Sequence, residues 1–164
     1  HIRLAEQYKR YVDIYSRFIF VGNYNAVPGY YATVRALIAE YKMLPDRFWF
    51  TGPVPDQELA AYYRHAHAYV SLSEHEGFCV PLVEAMAMDV PVLAYGAAAV
   101  PETLGGAGVT FAPKDLELAA EWLGALVYDD PLRQQVIAGQ RQRLAAFSRA
   151  ALEPRLKSLL AAVA

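Results

Sequence analysis

The sequence predicts an α/β domain in which a parallel sheet carries helices on both faces. Three observations predict it. Short apolar runs of strand length alternate with longer stretches of helical spacing. No turn pair that would close an antiparallel hairpin stands between those runs. Glycine-bearing loops follow the apolar runs, at Gly22, Gly52, the Glu76 loop and Gly96. Strands joined through helices run parallel, and helices then cover both sides of the sheet.

Each element has its own warrant. Residues 1–16 are polar and aromatic and read as a helical connector; the domain proper is expected over 17–164. Arg17 to Val21 is a first strand ending at Gly22. The loop Asn23 to Gly29 follows, with Pro28 and Gly29 as breakers. Tyr30 to Met43 has helical spacing, with Val34, Leu37, Ile38 and Tyr41 on one face. Phe48 to Phe50 is a second strand, ending at Gly52-Pro53. Asp56 is the expected N-cap of a helix through His65. Ala68 to Leu72 is a third strand, Pro81 to about Met88 a helix, and Pro91 to Ala94 a fourth strand. Val100 to Leu104 is a short helix and Gly108 to Phe111 a fifth strand. Helices are expected from Asp115 to Val127, from Asp130 to about Phe147, and from Ala150 to Val163. Ligands of such sheets bind beyond the carboxyl ends of the strands. The four strand-end loops are therefore expected to converge on one crevice.

Composition narrows the function. The chain has 164 residues, 55% of them apolar, and a formal net charge of −2. That suits one domain with a full core and excludes a disordered tail. It leaves no basic footprint for nucleic acid. The apolar stretch Val90 to Val100 is broken by Pro91 and Gly96, and spanning a bilayer takes about 20 residues. No signal peptide is visible at this N-terminus, although a start at His1 leaves a removed leader open. The single cysteine, Cys79, suits a reducing compartment, so a cytoplasmic location is expected, free or peripheral at a membrane. The mean hydropathy of +0.14 is high for a small soluble domain and fits a face packed on another domain.

The stretch Glu76 to Glu84, E-G-F-C-V-P-L-V-E, carries the chemistry. Pro81 fits a first helical position, so Gly77, Phe78, Cys79 and Val80 form a tight strand-to-helix loop. The N–H groups of that loop and of the helix start point beyond the strand end, where they attract phosphate. Gly77 is expected to supply unusual backbone angles. A carboxylate one turn in, Glu84, suits the paired hydroxyls of a sugar better than an anion, although spacing alone favours a simple partner of the helix dipole. Glu76 faces whatever extends past the phosphates.

Other chemistries fit less well. There is no G-x-G-x-x-G after the first strand and no G-x-x-x-x-G-K-[ST] loop. No G-x-S-x-G elbow is present. His65 and His67 lack partners at ligand spacing, so no metal is expected. Cys79 has no paired base that would make it a nucleophile. The arginines from Arg133 to Arg155 read as a solvated helix face, and most tyrosines as packing residues.

From Ser73 to Val92 the string S-x-x-E-G-F-x-x-P-x-x-E-A-M-A, followed by P-V, resembles the signature of family 4 glycosyltransferases. The likeness continues through Ala97 to Val109 and covers the rest of the chain more loosely. The resemblance implies the Rossmann-like C-terminal half of a GT-B enzyme, the half that binds a UDP- or GDP-linked sugar. It implies that a retained anomeric configuration accompanies transfer of a hexose, with no metal or other cofactor. An acceptor-binding N-terminal domain would form the other side of the cleft. By the same resemblance Glu84 holds the ribose hydroxyls, and Glu76 contacts the transferred sugar and assists catalysis. The backbone of Phe78, Cys79 and Val80 contacts sugar and phosphate, and Val54, after Gly52-Pro53, lies near the base. Gly22 and Asn23 border the diphosphate.

This chain departs from the family pattern in that loop. An arginine and a lysine usually follow the first strand's glycine and bind the diphosphate; here those positions are Asn23 and Pro28. Charge-assisted hydrogen bonds contribute about 1.5–3 kcal/mol each, against about 0.3–1 kcal/mol for an exposed helix N-terminus. Cys79 replaces a frequent glycine, as does Asp89. Two readings follow. One is a donor-binding domain of a retaining hexosyltransferase, inactive when isolated. The other is a degenerate glycosyltransferase-like binding or scaffold module with weak or no nucleotide binding.

Overall fold

The structure is a computed structural model that describes residues 1–163. Its strands are β1 (Phe18–Val21), β2 (Phe48–Gly52), β3 (Tyr69–Ser71), β4 (Val92–Tyr95) and β5 (Val109–Phe111). Its helices are α1 (Ile2–Tyr11), α2 (Pro28–Glu40), α3 (Asp56–His65), α4 (Val80–Ala87), α5 (Val100–Leu104), α6 (Leu116–Tyr128), α7 (Asp130–Leu144) and α8 (Arg149–Val163). Every strand-to-strand ladder is parallel, as the alternation of strands and helices predicts.

The strands form two sheets rather than one, in the orders β1-β2 and β3-β4-β5. Among the described residues no ladder joins β1 to β3. A cavity of about 990 Å³ is lined by residues 17–23 and by residues 65–70. In β1 and β2 the side chains alternate. Phe18, Phe20, Phe48 and Phe50 pack with Ile38 and Val34 of α2. Ile19, Val21 and Trp49 point the other way and stay exposed.

Around β4 the core divides between two faces. Val92 and Ala94 pack with Leu82, Met86, Val100 and Leu104 from α4 and α5. Leu93 packs on the opposite face with Ala119, Leu123 and Leu126 of α6. A strand buried on both faces explains why its sequence reads as a continuous apolar run. Pro91 has no N–H, and the buried side chain of Gln140 fills in on either side of it. Its Nε2 donates to the Val90 carbonyl at 2.8 Å, and its Oε1 accepts from the Val92 N–H at 2.9 Å.

Several boundaries move for identifiable reasons. Residues 1–16, expected as a connector, contain a helix whose Ile2, Leu4, Ala5 and Tyr8 are buried, so α1 is part of the core. The second helix starts at Pro28 rather than Tyr30, because proline is suited to a first turn and Gly29 is accommodated there. It ends at Glu40 rather than Met43, just before Lys42 takes a left-handed φ of 52°. Asp56 does not cap α3. The N-cap is Pro55, and Asp56 stands inside the first turn with Glu58, where the helix dipole favours carboxylates. Asp115 caps α6 through the Glu117 and Leu118 N–H groups at 3.0 and 3.1 Å. The helix α7 opens at Asp130 as expected, and Asp129 caps it, accepting from Leu132 N at 3.0 Å. The Gly105-Gly106 turn has left-handed φ values of 56° and 81°.

Candidate functional site

The loop between β3 and α4 is held from behind. The Ala99 N–H donates to the Glu76 carbonyl at 3.3 Å. The Thr103 hydroxyl of α5 donates to the Phe78 carbonyl at 2.6 Å. The Phe78 ring meets Phe147 edge-on, with centroids 5.5 Å apart. Three points of attachment therefore fix residues 76–79, and the N–H groups of the α4 start are fixed with them.

Cys79, the N-cap of α4, carries the turn. Its φ of 63° and ψ of 66° are left-handed, and its carbonyl accepts from Leu82 N at 3.0 Å. Gly77 does not have the unusual backbone that the sequence suggests for it; no left-handed φ occurs there. The strained position is the cysteine. Accordingly, α4 starts at Val80, with Pro81 second, rather than at Pro81. The Cys79 side chain is buried, and burial, with the Glu76 carboxylate beside it, pushes the thiol's pKa up. A protonated thiol is no nucleophile.

Glu84 lies on the face of α4 that lines the large cavity. Its Oε2 accepts from the Tyr63 hydroxyl of α3 at 3.0 Å. The same hydroxyl is 3.5 Å from the Pro81 carbonyl. Burial pushes the Tyr63 hydroxyl far above the usual tyrosine range, so it remains a proton donor. The sequence offered no signal for Tyr63, because a tyrosine in an apolar helix face reads as packing.

The structure brings Gly22, Asn23, Val54, Pro81 and Glu84 to the wall of one cavity. These come from the ends of β1 and β2 and from the first turns of α4. Glu76, Gly77, Phe78 and Cys79, on the loop that leads into α4, do not line it, and neither does Val80, the first residue of α4. Gly96 does not line it either, so of the four strand-end loops expected to converge, two line the cavity directly, the Glu76 loop reaches it only through α4, and the Gly96 loop stays apart. A second cavity of about 360 Å³ adjoins at Gly22 and Asn23 and is lined by Tyr24, Tyr30, Tyr31 and Phe50. Tyr24 and Tyr31 have ring centroids 4.6 Å apart, and Tyr31 stands edge-on to Phe50 at 5.2 Å. Aromatic rings thus occupy the loop where Asn23 and Pro28 leave no cation. The Asn23 side chain instead caps a short turn, accepting from Asn25 N at 3.1 Å.

At the carboxyl end of the other sheet, Lys114 Nζ donates to the Leu72 carbonyl at 2.9 Å and to Glu74 Oε1 at 2.6 Å. Its ammonium stands 4.6 Å from the Tyr95 ring centroid. That hydrogen bond holds the Glu74 carboxyl below its ordinary range. Among the described residues, no group of three or more histidines, cysteines and carboxylates could hold a metal. No described helix is long and apolar enough to cross a membrane.

A family model described as glycosyl transferases group 1 matches residues 3–143. The chain is 34% identical over 85 residues to an O-antigen chain mannosyltransferase B of Escherichia coli, covering 52% of this chain and 22% of that one. It is 38% identical over 117 residues to an MMP alpha-(1->4)-mannosyltransferase of Mycolicibacterium hassiacum, covering 68% and 28%. The fold matches a crystal structure of Anabaena Alr3699/HepE in complex with UDP-glucose at a TM-score of 0.78 and 20% identity. That match covers 99% of this chain and 44% of that one. The chain therefore spans less than half of each of these proteins, and under a third of the two mannosyltransferases.

Proposed function

The chain belongs to the glycosyl transferases group 1 family, with a GT-B, family 4-like domain, and on that premise we propose that it is the half that binds a nucleotide sugar. The protein of which it is a part transfers a hexose from a UDP- or GDP-sugar to an acceptor hydroxyl, with the anomeric configuration retained. An N-terminal domain outside these residues supplies the acceptor side of the cleft. The observation that carries the reading is the position of Glu84: on the wall of the large cavity, one turn inside a helix whose start is pinned by the 76–79 loop.

In this reading the base rests near Val54 and Glu84 accepts hydrogen bonds from the ribose. The diphosphate lies between Gly22-Asn23 and the N–H groups of Phe78, Cys79 and Val80. Those N–H groups and the helix dipole stabilise negative charge on the leaving diphosphate as the glycosidic bond breaks. Glu76, past the phosphates, contacts the transferred sugar and assists catalysis. No metal or organic cofactor takes part. The protein works in the cytoplasm, free or peripheral at a membrane. Relatives named as mannosyltransferases and a fold neighbour crystallised with UDP-glucose support the substrate class.

Calorimetric titration with UDP and GDP, at low and moderate salt, tests this reading beside Glu84→Ala. Binding by the parent that the variant loses supports it. Absence of binding to either nucleotide, by a cooperatively folded chain, favours the second reading. That reading is a glycosyltransferase-like scaffold, and the observation behind it is the cation-free, aromatic 23–31 loop.

A further inference from the structure

We propose that Tyr63 is a positioning residue that sets how strongly this site distinguishes ribose from deoxyribose. The inference rests on the assignment of Glu84 to the ribose hydroxyls.

The Glu84 carboxylate has one hydrogen-bond partner among the described residues, the Tyr63 hydroxyl on Oε2 at 3.0 Å. No donor occupies Oε1, which is therefore available to a ligand in the cavity that Tyr63 and Glu84 both line. A glutamate has three side-chain torsions, and an unanchored carboxylate is spread over several rotamers. A fixed carboxylate presents one oxygen at one place and loses little freedom when a hydroxyl arrives.

The anchor is itself fixed. Tyr63 is 9% exposed, and its ring packs beside Tyr69, with centroids 5.9 Å apart, and against the α4 core. Its hydroxyl stays protonated at any working pH, because burial raises its pKa. It thus remains a donor, with the carboxylate at 3.0 Å as its nearer acceptor and the Pro81 carbonyl at 3.5 Å as the farther one. Tyr63 also links the two walls of the site. It stands on α3, which follows directly from the Val54 loop, and it reaches α4, which begins at the 76–79 loop.

Tyr63→Phe removes only the hydroxyl and leaves the ring in the core. UDP and 2′-deoxy-UDP are titrated into the parent, Tyr63→Phe and Glu84→Gln, with unfolding midpoints recorded for each. The expected result is a parent that prefers UDP by roughly tenfold or more, consistent with a lost bond to a charged group. Tyr63→Phe should weaken UDP about three- to tenfold, leave 2′-deoxy-UDP unchanged, and so erase most of the preference. A purely structural role would weaken both nucleotides together or shift only the midpoint, and either result would overturn the proposal. Tighter UDP binding by Tyr63→Phe would overturn it too, since the hydroxyl would then be competing with the ribose. A parent-like ratio in Tyr63→Phe with a lost ratio in Glu84→Gln refutes the role of Tyr63 alone. A parent-like ratio in both variants refutes the ribose assignment of Glu84 and the proposal with it.

Discussion

Gly124 of α6 faces Val12 at the end of α1 so closely that a Cβ on the glycine would stand 2.8 Å from Val12 Cγ1. The two helices make their contact through the absence of a side chain. Gly124→Ala should therefore destabilise the protein by about 1–3 kcal/mol, as overpacking does. Val12→Ala in the same chain should recover part of that loss, because the clash is with the valine methyls. Urea denaturation of the two single variants and the double variant measures the coupling; strict additivity would mean the helices part instead of clashing.

Both glycine-replacing residues of the signature region, Cys79 and Asp89, have left-handed backbones, with φ of 63° and 58°. A left-handed L-residue costs about 1–2 kcal/mol, and a β-branched one is worse still. Cys79→Val should destabilise by about 2 kcal/mol. Cys79→Gly should stay within about 1 kcal/mol of the parent, because relieved strain offsets lost packing and added chain entropy. Thermal unfolding of the two variants decides it; a well-tolerated valine would mean that the turn can rearrange.

Asp89 is held by Arg141 in a two-pronged pair, Oδ1 to Nε at 2.7 Å and Oδ2 to Nη2 at 2.8 Å. The guanidinium keeps the Asp89 carboxyl below its ordinary value of 3.8. A folded-state value below the unfolded one stabilises at pH above the unfolded value, and the benefit is lost as pH falls through the folded one. The pair is exposed and screened by solvent, so its contribution is small. Asp89→Gly trades that pair for relief of left-handed strain. The variant should be within about 0.5 kcal/mol of the parent at pH 7 and should gain on it below pH 4. Denaturant midpoints at pH 7 and pH 3 give the comparison, and a gap that widens against glycine in acid would contradict it.

Asn23→Arg with Pro28→Lys should tighten diphosphate binding several-fold and steepen its dependence on salt. Asn23 lines both cavities, and Pro28 opens α2 beside them. Titration of UDP at two salt concentrations provides the readout. Unchanged affinity would mean that the charge for the diphosphate comes from elsewhere.

The parallel pairing, the alternation and most element positions were legible in the sequence; burial on both faces forces the continuous apolar run at β4. Glu84 stood out in the sequence through one motif and the glycine-bearing loops through their places at strand ends; the cavity wall holds Glu84 and the loops after Gly22 and Gly52, but not Gly96. What escaped depends on three-dimensional neighbours. The Tyr63–Glu84 bond joins residues of different helices, and no local pattern marks it. Gly77 drew the expected left-handed turn because glycine is the usual occupant, yet the chain bends at Cys79, where packing behind the loop overrides preference. The separation of β1 from β3 was equally hidden, since Ile19 and Val21 look like core residues in any alternating strand. The polar look of residues 1–16 concealed that α1 turns its apolar side inward.

That helix has a consequence for how the molecule comes apart. Ile2 and Ala5 pack with Ile38 and Phe48, whereas Leu4 and Tyr8 pack with Leu93, Leu123 and Leu126. Among the described residues no strand ladder crosses between the two sheets, so α1, with Phe18 of β1 packed against its Tyr8, is the main apolar tie between the β1-β2-α2 part and the remainder. The segment from Phe18 to Gly52 can then open as a separate cooperative unit once α1 lets go. Its amide protons should exchange with solvent at a lower free energy than those of β4, and weakening α1 should speed the first without touching the second.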